Sequence, residues 1–520
     1  MTSKRAPRIG SFVLETLTTG MYTEPLDTVR EYVQNAFDSI RAAERAGVLS
    51  PNKGRAEITV DSKKRTLTIR DNGLGIPQDE VLDRLLDIGM SSKDYAQNAG
   101  FRGIGRLAGI AYCDRLEFTA HAAAEPEETT IFHDCVELRR NMKPDSQVGE
   151  EMQVVLAQCT DMKTSSAKEE GGYFEVRMVN ITPLDVPFLN YGKLIFYLEE
   201  SAPVPYDFQR FQYGSTIQSW LRDREIHLPE LSVVVRGDGL VHEVLKPYEN
   251  GPYTTSRNNK NILLDNIRCF PEEADASSPF WGWYAETDLP GALADPKVAG
   301  FRIRRDNFGL GGPDIMADVF GEVSTTNRRF NNYFLGEIHI LDTAAIPNAR
   351  RDGFEDTEAW RSVRKRLVEF ARERSKDVRS AERVRNTTVE RITNSAADAV
   401  SGAEKKMQVG LGTNEERHKL KTQLETQRRK LEAANRPSRS ETEVQRLRHH
   451  EEQIEETLKK LDTAEVLVGQ RLVAALDRKQ RKLISEILEL LYGVLDAASY
   501  DKARCAIMEK YGVTTKDAHS

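Results

Sequence analysis

Apolar and polar residues alternate along the first 370 residues in two ways, one typical of helices and one of strands. The span 26–46 has the three-to-four-residue spacing of an amphipathic helix. Short alternating or wholly apolar runs predict strands at 56–60, 66–69, 116–120, 174–179, 231–235, 300–304 and 333–341. This mixture predicts an α/β (α+β) fold. A cluster of prolines at 183–205 marks the border between two domains.

From residue 371 onwards the pattern changes to a helix-forming mixture of Glu, Lys, Arg, Gln, Leu and Ala. Apolar residues recur there every seven positions, at Leu447, Ile454, Leu461, Val468 and Ala475. A proline-containing break at 435–438 separates two helical arms, which predicts an antiparallel hairpin or coiled coil. The alternative is a solvated helical bundle packed within one chain. The segment 483–495 is apolar enough to need a partner.

Composition and charge narrow the class of protein. The chain has 520 residues with a net charge of −7, which argues against a globally basic nucleic-acid-binding protein. Its five cysteines lack a Cys-x-x-Cys pair, which argues against a disulfide scaffold or a structural zinc site. No apolar run reaches the roughly 18 residues that cross a membrane. We expect a cytoplasmic protein without a membrane partner, with domains at 1–182, 183–370 and 371–520.

The predicted helix at 26–46 carries the first motif with candidate chemistry. Glu31, Asn35 and Asp38 are four and three residues apart, so they share one helical face. Burying a carboxylate, an amide and a second carboxylate together is costly unless they have polar partners. A hydrated metal ion and a water nucleophile would supply such partners. An ordinary polar helix face is the alternative.

Two glycine-rich stretches follow this helix. Asp71-x-Gly73-x-Gly75 comes at the end of a predicted strand, where glycines let the backbone approach a flat ligand and Asp71 can accept a hydrogen bond from an exocyclic amine. A simple hairpin turn is the alternative. The second stretch contains Lys93 and the run 100–109, whose backbone amides could face phosphates. It fits neither the Walker nor the Rossmann pattern.

In this order and spacing, the three motifs resemble those of the GHKL ATPase superfamily, which includes gyrase, the ninety-kilodalton heat-shock chaperone, histidine kinases and MutL. The run 89–93, Gly-Met-Ser-Ser-Lys, is similar to the lid segment of MORC and MutL proteins. The resemblance covers about residues 10–180. It implies a GHKL sandwich, followed by an α/β transducer domain and a helical, partly coiled-coil tail.

The resemblance also implies a role for each matching residue. Glu31 would be the general base that activates water, and Asn35 would hold Mg²⁺. Asp38 would orient the adenine end, Asp71 would bind the adenine amino group, and Gly73 and Gly75 would let the base approach. The β- and γ-phosphates would be wrapped by the lid residues Lys93, Gly100, Arg102, Gly103 and Gly105.

One feature departs from the family pattern. A Gly-Thr pair usually opens a late strand, and its threonine helps to bind adenine. The equivalent here is Gly171-Gly172-Tyr173-Phe174, which lacks the threonine unless Thr160 or Thr164 replaces it. Adenine specificity is therefore less firmly implied than phosphate binding.

The second domain offers a further match. The run 346–355 resembles the catalytic loop of the chaperone's middle domain, which implies that Arg351 reaches the γ-phosphate, with Arg350 as the alternative. An arginine suits this task because its guanidinium stays charged and can bind phosphate through two bonds. A surface loop with an ordinary Arg–Asp pair is the other interpretation. Arg302, Arg304, Arg305, Arg328 and Arg329 are read as a basic patch for a partner, or as ordinary solvated arginines.

We therefore expect an ATPase that converts ATP and water to ADP and phosphate with Mg²⁺. The resemblance implies a homodimeric, ATP-gated clamp that acts on protein clients or a partner subunit, as chaperones do. One alternative is a MORC- or MutL-like clamp on DNA, in repair or in defence against foreign DNA. The other is a regulatory module that senses nucleotide and hydrolyses little of it.

Overall fold

The computed structural model describes residues 9–10, 12–18, 24–89, 103–142, 151–183, 186–256, 261–409, 411, 414–435, 439–464, 480, 483–484, 487–488, 490–491 and 494–510. The chain divides into two compact units, Met1–Val378 and Arg379–Ser520, called here the first and second unit. The first unit mixes helices and strands, and the described part of the second is helical. The predicted α/β fold with a helical C-terminal region is confirmed.

The first unit contains an eight-stranded sheet among its described residues. Its strands are β1 (Arg55–Asp61), β2 (Thr66–Asp71), β3 (Cys113–His121), β4 (Glu127–Asp134), β5 (Thr160–Ser166), β6 (Tyr173–Ile181), β7 (Ser232–Gly237) and β8 (Leu240–Glu243). They lie in the order β5-β4-β3-β6-β2-β1-β7-β8. The predicted strands at 56–60 and 66–69 are confirmed as β1 and β2, which pair antiparallel with Ile58 opposite Ile69.

Helices cover the sheet and connect its strands. The α-helices of this region are α1 (Phe12–Thr18), α2 (Asp27–Arg45), α3 (Val81–Leu86), α4 (Cys135–Asn141), α5 (Met152–Gln158), α6 (Tyr191–Ser201) and α7 (Tyr213–Arg222). Short 3₁₀ helices lie at Gln78–Glu80, Gly105–Ala111 and Pro187–Leu189. The predicted helix at 26–46 is confirmed as α2, whose apolar face packs into the same core as β1, β2, β3 and β6.

A smaller, five-stranded sheet follows in the first unit, in the order β11-β12-β15-β13-β14. Its strands are β11 (Asn266–Phe270), β12 (Phe280–Glu286), β13 (Gly300–Arg305), β14 (Phe308–Leu310) and β15 (Leu335–Ile340), preceded by the short pair β9 (Tyr253–Thr254) and β10 (Asn261–Ile262). The helix α8 (Asp314–Val323) and a 3₁₀ helix at Thr325–Tyr333 lie between β14 and β15. An aromatic core around Phe301, Phe320 and Trp360 joins this sheet to its helices.

The predicted domain border between residues 182 and 183 stays a prediction, and the larger sheet continues beyond it. The strand β7 pairs parallel with β1, with Val233 opposite Ala56, and β8 extends the sheet by one more strand. The predicted strand at 231–235 thus belongs to the first sheet, whereas those at 300–304 and 333–341 belong to the second.

The long helix α9 (Glu358–Val409) begins in the first unit and ends in the second, where α10 (Asn414–Ala434), α11 (Glu441–Thr463) and α12 (Ala497–Lys510) follow. Lys421, near the start of α10, binds Asp462, near the end of α11, at 2.9 Å, so these two helices run antiparallel. Leu447, Ile454 and Leu461 of the seven-residue repeat are buried against α9 and α10. Intrachain packing therefore uses that seam, while Val468 and Ala475 lie outside the described residues.

Within the described part of the chain, no helix is both long and apolar enough to cross a membrane.

Candidate active site

The helix α2 is the centre of the candidate site, and the turn after the lid segment holds it in place. The Tyr32 hydroxyl accepts a hydrogen bond from the backbone N–H of Gly109 at 2.9 Å and donates one to the carbonyl of Arg106 at 3.1 Å. Both partners belong to the 3₁₀ helix at Gly105–Ala111. Tyr32 is buried. Its two hydrogen bonds therefore join α2, which carries Glu31, to the glycine-rich third motif.

The three polar residues of the first motif differ in burial. The Glu31 side chain is 12% exposed, Asn35 is half-buried, and Asp38 is buried. The backbone of Gly105 lies so close to Glu31 that a Cβ there would overlap its carboxylate. A side chain at position 105 would therefore displace the Glu31 carboxylate, a reason for glycine that the sequence alone did not reveal.

The loop after β2 is clamped between α2 and β3. The Gly73 N–H donates to Asp71 Oδ1 at 2.9 Å, and the Leu74 N–H donates to Ser39 Oγ on α2 at 3.1 Å. A Cβ on Gly73 would lie 2.7 Å from the backbone nitrogen of Ile40. Gly75 has a φ of +70°, and a Cβ there would lie 2.7 Å from the carbonyl carbon of His121. The buried Asp71 carboxylate is therefore held by a turn that tolerates no added side-chain atoms.

The structure corrects the expectation about the missing threonine. Asp71 lies opposite Phe174 on β6, so a phenylalanine occupies the neighbouring strand position. Thr160 and Thr164 lie on β5, four strands from β2 in the sheet order, or about 19 Å at the usual strand spacing. Thr160 Oγ1 donates to the Leu156 carbonyl at 2.6 Å. Neither threonine can replace the absent hydroxyl beside Asp71.

Part of the predicted phosphate site cannot be located. Lys93, Gly100 and Arg102 lie outside the described residues. Gly103 and Gly105 are described, and Gly103 takes the left-handed φ of +70° that favours glycine.

Arg106 was not recognised from the sequence, yet it fastens both ends of the lid segment. Its Nε donates to the Leu85 carbonyl at 3.0 Å, its Nη1 to the Gly103 carbonyl at 2.8 Å, and its Nη2 to the Asp87 carbonyl. Burial lowers the pKa of Arg106 to about 10, which keeps the guanidinium charged at neutral pH. The feature of the sequence that could have pointed to Arg106 is its place directly after Gly103-Ile104-Gly105.

The loop at 346–355 reaches α2 although it is more than 300 residues away in sequence. Arg351 is buried, has a φ of +61°, and brings its Nε to 4.0 Å from Glu31 Oε1. Arg350 is exposed, and its carbonyl accepts a hydrogen bond from Nη2 of Arg30 at 3.2 Å. Arg30 is itself paired with Asp27 at 3.1 Å. Of the two candidate arginines, Arg351 is the one whose side chain lies beside Glu31.

The predicted basic patch is wrong at 302–305, whereas Arg328 and Arg329 are exposed and stay a prediction. Arg302, Arg304 and Arg305 are all buried. Arg302 pairs with Glu200 at 2.7 Å, and Arg304 pairs with Glu337. Strand β13 is buried along its whole length, so its arginines point into polar contacts inside the protein rather than to a partner.

Comparison with known proteins agrees with this geometry over the N-terminal part of the chain. A family profile described as "Histidine kinase-, DNA gyrase B-, and HSP90-like ATPase" matches residues 23–161, about a quarter of the chain. The chaperone protein HtpG of Acinetobacter baylyi is 28% identical over 132 residues, and HtpG of Yersinia pestis is 29% identical over 130. HtpG of Escherichia coli O1:K1 / APEC is 28% identical over 130 residues.

Each of these matches covers 22% of this chain and 21% of the relative, so the chain spans about a fifth of the length of the curated relatives it matches. The similarity is therefore to a part of the chaperone and not to the whole of it. The family profile covers α2, the Asp71 turn and the Gly105–Ala111 helix, which are the elements that build the site described above. Residues 23–161 are thus similar to the GHKL-type ATPase domain of histidine kinases, DNA gyrase B and HSP90.

Proposed function

We propose that this protein binds ATP between α2, the Asp71 turn and the lid, and hydrolyses it with Mg²⁺. The observation that carries the proposal is the approach of Arg351 to Glu31 at 4.0 Å. A carboxylate and a guanidinium from distant parts of the chain meet beside the glycine-rich motif, which is the pair of charges that phosphoryl transfer to water requires. In a surface loop with an ordinary Arg–Asp pair, the arginine would be exposed to solvent instead of being buried beside α2.

Glu31 is proposed as the general base. Gly105 and Arg351 confine its carboxylate to one small volume at the start of α2, so it can be aimed at an attacking water. Arg351 is proposed to neutralise charge that develops on the transferred phosphoryl group, since a guanidinium remains charged and can form two parallel bonds. Positioning and charge are most of what this reaction needs from a protein.

Asn35 is proposed as the residue that holds Mg²⁺, because its amide lies one turn after Glu31 on the same face. Among the described residues, no group of three or more His, Cys, Asp and Glu side chains is arranged to hold a metal ion alone. That fits Mg²⁺, which usually takes one or two protein ligands and fills its shell with phosphate and water oxygens. When bound, the ion would polarise the phosphate oxygens.

The purine end is assigned to Asp71, with Asp38 nearby on α2. Asp71 is buried at the end of β2, and Gly73 and Gly75 keep the surrounding backbone close. Phe174, opposite Asp71, supplies apolar surface but no hydroxyl group. The phosphates are assigned to the amides around Gly103 and Gly105, together with the lid residues Lys93, Gly100 and Arg102.

The test compares three variants at saturating ATP. Glu31→Gln keeps the side-chain shape against Gly105, so it should bind ATP and lose hydrolysis by about 10²–10⁴-fold. Arg351→Ala should lower kcat with little change in nucleotide affinity. Arg350→Ala is the matched control and should hydrolyse ATP normally, because the structure uses only its carbonyl. A Glu31→Gln variant at the wild-type rate would refute the proposal, and a defect confined to Arg350→Ala would assign the role to Arg350.

The whole chain is proposed to act as a homodimeric clamp on protein clients. The described part of the segment 483–495 supports this, since Leu483, Leu490 and Val494 are 57%, 69% and 82% exposed. Replacing these three by Gln should turn a dimer into a monomer in light scattering. The Glu31→Gln variant, held with ATP, should then retain protein clients in a pull-down. Recovery of nucleic acid instead would favour the DNA-clamp alternative, and a monomeric wild-type chain would refute the clamp.

A further inference from the structure

A fully buried polar cluster surrounds Glu337 on β15. Its carboxylate accepts hydrogen bonds from Lys246 Nζ at 2.9 and 3.1 Å, from the Tyr206 hydroxyl at 2.6 Å, and from the Tyr248 hydroxyl at 3.1 Å. The guanidinium of Arg304 donates to the same carboxylate. The side chains of Glu337 and Lys246 are 0% exposed. Segments 202–206, 246–248 and the second sheet therefore meet at one carboxylate.

The charges in this cluster depend on one another. Burial alone would raise the pKa of Glu337, but Arg304 and Lys246 lower it well below its ordinary value, so the group remains a carboxylate. Removing one partner from such a buried group leaves an uncompensated charge, which is strongly destabilising. The cluster is thus rigid: its members keep their positions together or lose them together.

The part of the chain that this cluster fixes most directly is the turn between β13 and β14. Asp306 and Asn307 both have left-handed φ values, +49° and +64°, as in a two-residue hairpin turn. Asn307 Oδ1 accepts from Lys246 Nζ at 2.9 Å, its Nδ2 donates to the Pro229 carbonyl at 2.9 Å, and its own carbonyl accepts from Arg304 Nη1 at 2.9 Å. Asn307 is therefore anchored on three sides.

The hairpin anchored in this way leads directly to the candidate active site. The ring of Phe308 packs edge-to-face against Phe37 of α2, with centroids 5.4 Å apart. Three residues later, the Gly311 N–H donates to the carbonyl of Arg351 at 3.1 Å. Gly311 has a φ of +56°, and a Cβ there would lie 2.6 Å from the carbonyl of Asp352. One short hairpin thus touches both the helix of Glu31 and the loop of Arg351.

We propose that the β13–β14 hairpin, held at its turn by Asn307, is the positioning element that sets Arg351 relative to Glu31. This inference rests on the proposed function, because it presupposes that Glu31 and Arg351 act together in ATP hydrolysis. Asn307 touches neither nucleotide nor reacting atoms; it acts through Phe308 and Gly311. A displacement of about 1 Å in such a pair of groups can cost on the order of 10²-fold in rate.

The decisive variant is Asn307→Gly, which keeps the left-handed backbone and removes both side-chain bonds. It should lower kcat by about 10- to 100-fold while the ATP KM changes less than about two-fold. Asp306→Gly is the matched control: it lies in the same turn with the same sign of φ, but its side chain is 43% exposed and pairs only with Arg305 at 3.2 Å. It should keep the wild-type kcat.

A double variant tests whether Asn307 acts through Arg351. If it does, Asn307→Gly combined with Arg351→Ala should hydrolyse ATP no more slowly than Arg351→Ala alone. Rates that multiply, or an Asn307→Gly enzyme with the wild-type kcat while Arg351→Ala is impaired, would overturn the inference and leave the proposed function intact. A wild-type rate in Arg351→Ala would instead overturn the role of Arg351 itself.

A second variant covers the case in which Asn307→Gly does not fold, as judged by its circular dichroism and thermal transition. Phe308→Leu keeps both side-chain bonds of Asn307 and replaces the aromatic contact with Phe37 by a smaller aliphatic one within the same core. It should give the same split, a lower kcat at an unchanged KM. If a folded Phe308→Leu protein hydrolyses ATP at the wild-type rate, the hairpin does not position the site.

Discussion

Replacing Gly75 by alanine tests whether the turn after β2 is built around close backbone contact. Gly75 has a φ of +70°, and its position leaves no room for a Cβ, which would lie 2.7 Å from the carbonyl carbon of His121 and closer still to its oxygen. Gly47, just after α2, has nearly the same φ of +67°, but no atom lies within 4 Å of a Cβ there. The two glycines therefore separate backbone strain from steric overlap.

The expected magnitudes follow from these surroundings. Alanine in the left-handed region costs about 1–2 kcal/mol at either site. At position 75 the backbone must also move by more than roughly 0.8 Å, because the carbonyl carbon of His121 alone falls that far short of an ordinary contact of about 3.5 Å and its oxygen lies closer. His121 cannot easily yield, because its ring nitrogens lie 2.9 Å from the carbonyls of Gly171 and Glu125. Overpacking of this kind adds about 1–3 kcal/mol.

Gly75→Ala should therefore lower the free energy of unfolding by about 2–5 kcal/mol, against about 1–2 kcal/mol for Gly47→Ala. Urea unfolding followed by tryptophan fluorescence would measure both. Calorimetric titration at a temperature where both variants are folded should show at least about tenfold weaker ATP binding for Gly75→Ala only, since the displaced turn carries Asp71. Equal destabilisation by the two substitutions, or unchanged ATP affinity in Gly75→Ala, would refute the reasoning.

Three further predictions concern burial. Burial and, to a smaller extent, the charge of Arg106 lower the pKa of His133 from 6.5 to about 4. Between pH 7 and pH 5 the unfolded chain therefore binds more protons than the folded chain, so the free energy of unfolding should fall by about 2 kcal/mol. In urea titrations, His133→Phe should remove this loss. Among the described residues, the fully buried Gln34 amide has no hydrogen-bond partner, so Gln34→Met should raise stability by about 1 kcal/mol; a lower melting temperature would contradict this. Leu431→Ala should destabilise the second unit by about 2–5 kcal/mol, whereas Lys430→Ala, at the exposed neighbouring position of α10, should cost almost nothing by circular dichroism.

Local patterns predicted the main elements within residues 23–161. The helix α2 and the hairpin of β1 and β2 have strong periodic signals, and the order of the three motifs gave the domain type, which the family comparison confirms. What the motifs could not supply was the reason for each glycine. A side chain at Gly105 would overlap Glu31, and one at Gly73 would overlap the backbone of α2. Each of these contacts joins elements that are far apart in sequence.

The arginines of β13 show why the charge pattern led to a wrong prediction of an exposed basic patch at 302–305. Three arginines within four residues are typical of an exposed patch, but in the structure they lie on a strand buried on both faces. Their partners, Glu200 and Glu337, come from other segments and are ordinary acidic residues in the sequence. A buried ion pair leaves no local signature, since each half is indistinguishable from a surface charge until the fold joins them.

For the same reason, the sequence of the loop limits the candidate arginine to Arg350 or Arg351 but does not decide between them. Arg350 and Arg351 are identical in type and adjacent, so composition cannot choose between them. The choice comes from the backbone: the left-handed φ of +61° at Arg351, together with the bond from Gly311 to its carbonyl, turns its side chain toward Glu31. Arg30 meanwhile binds the carbonyl of Arg350 and fixes the loop one residue earlier. The register of the loop is thus decided by contacts from α2 on one side and from the β13–β14 hairpin on the other. The proposed hydrolysis of ATP therefore depends on the second sheet as well as on residues 23–161.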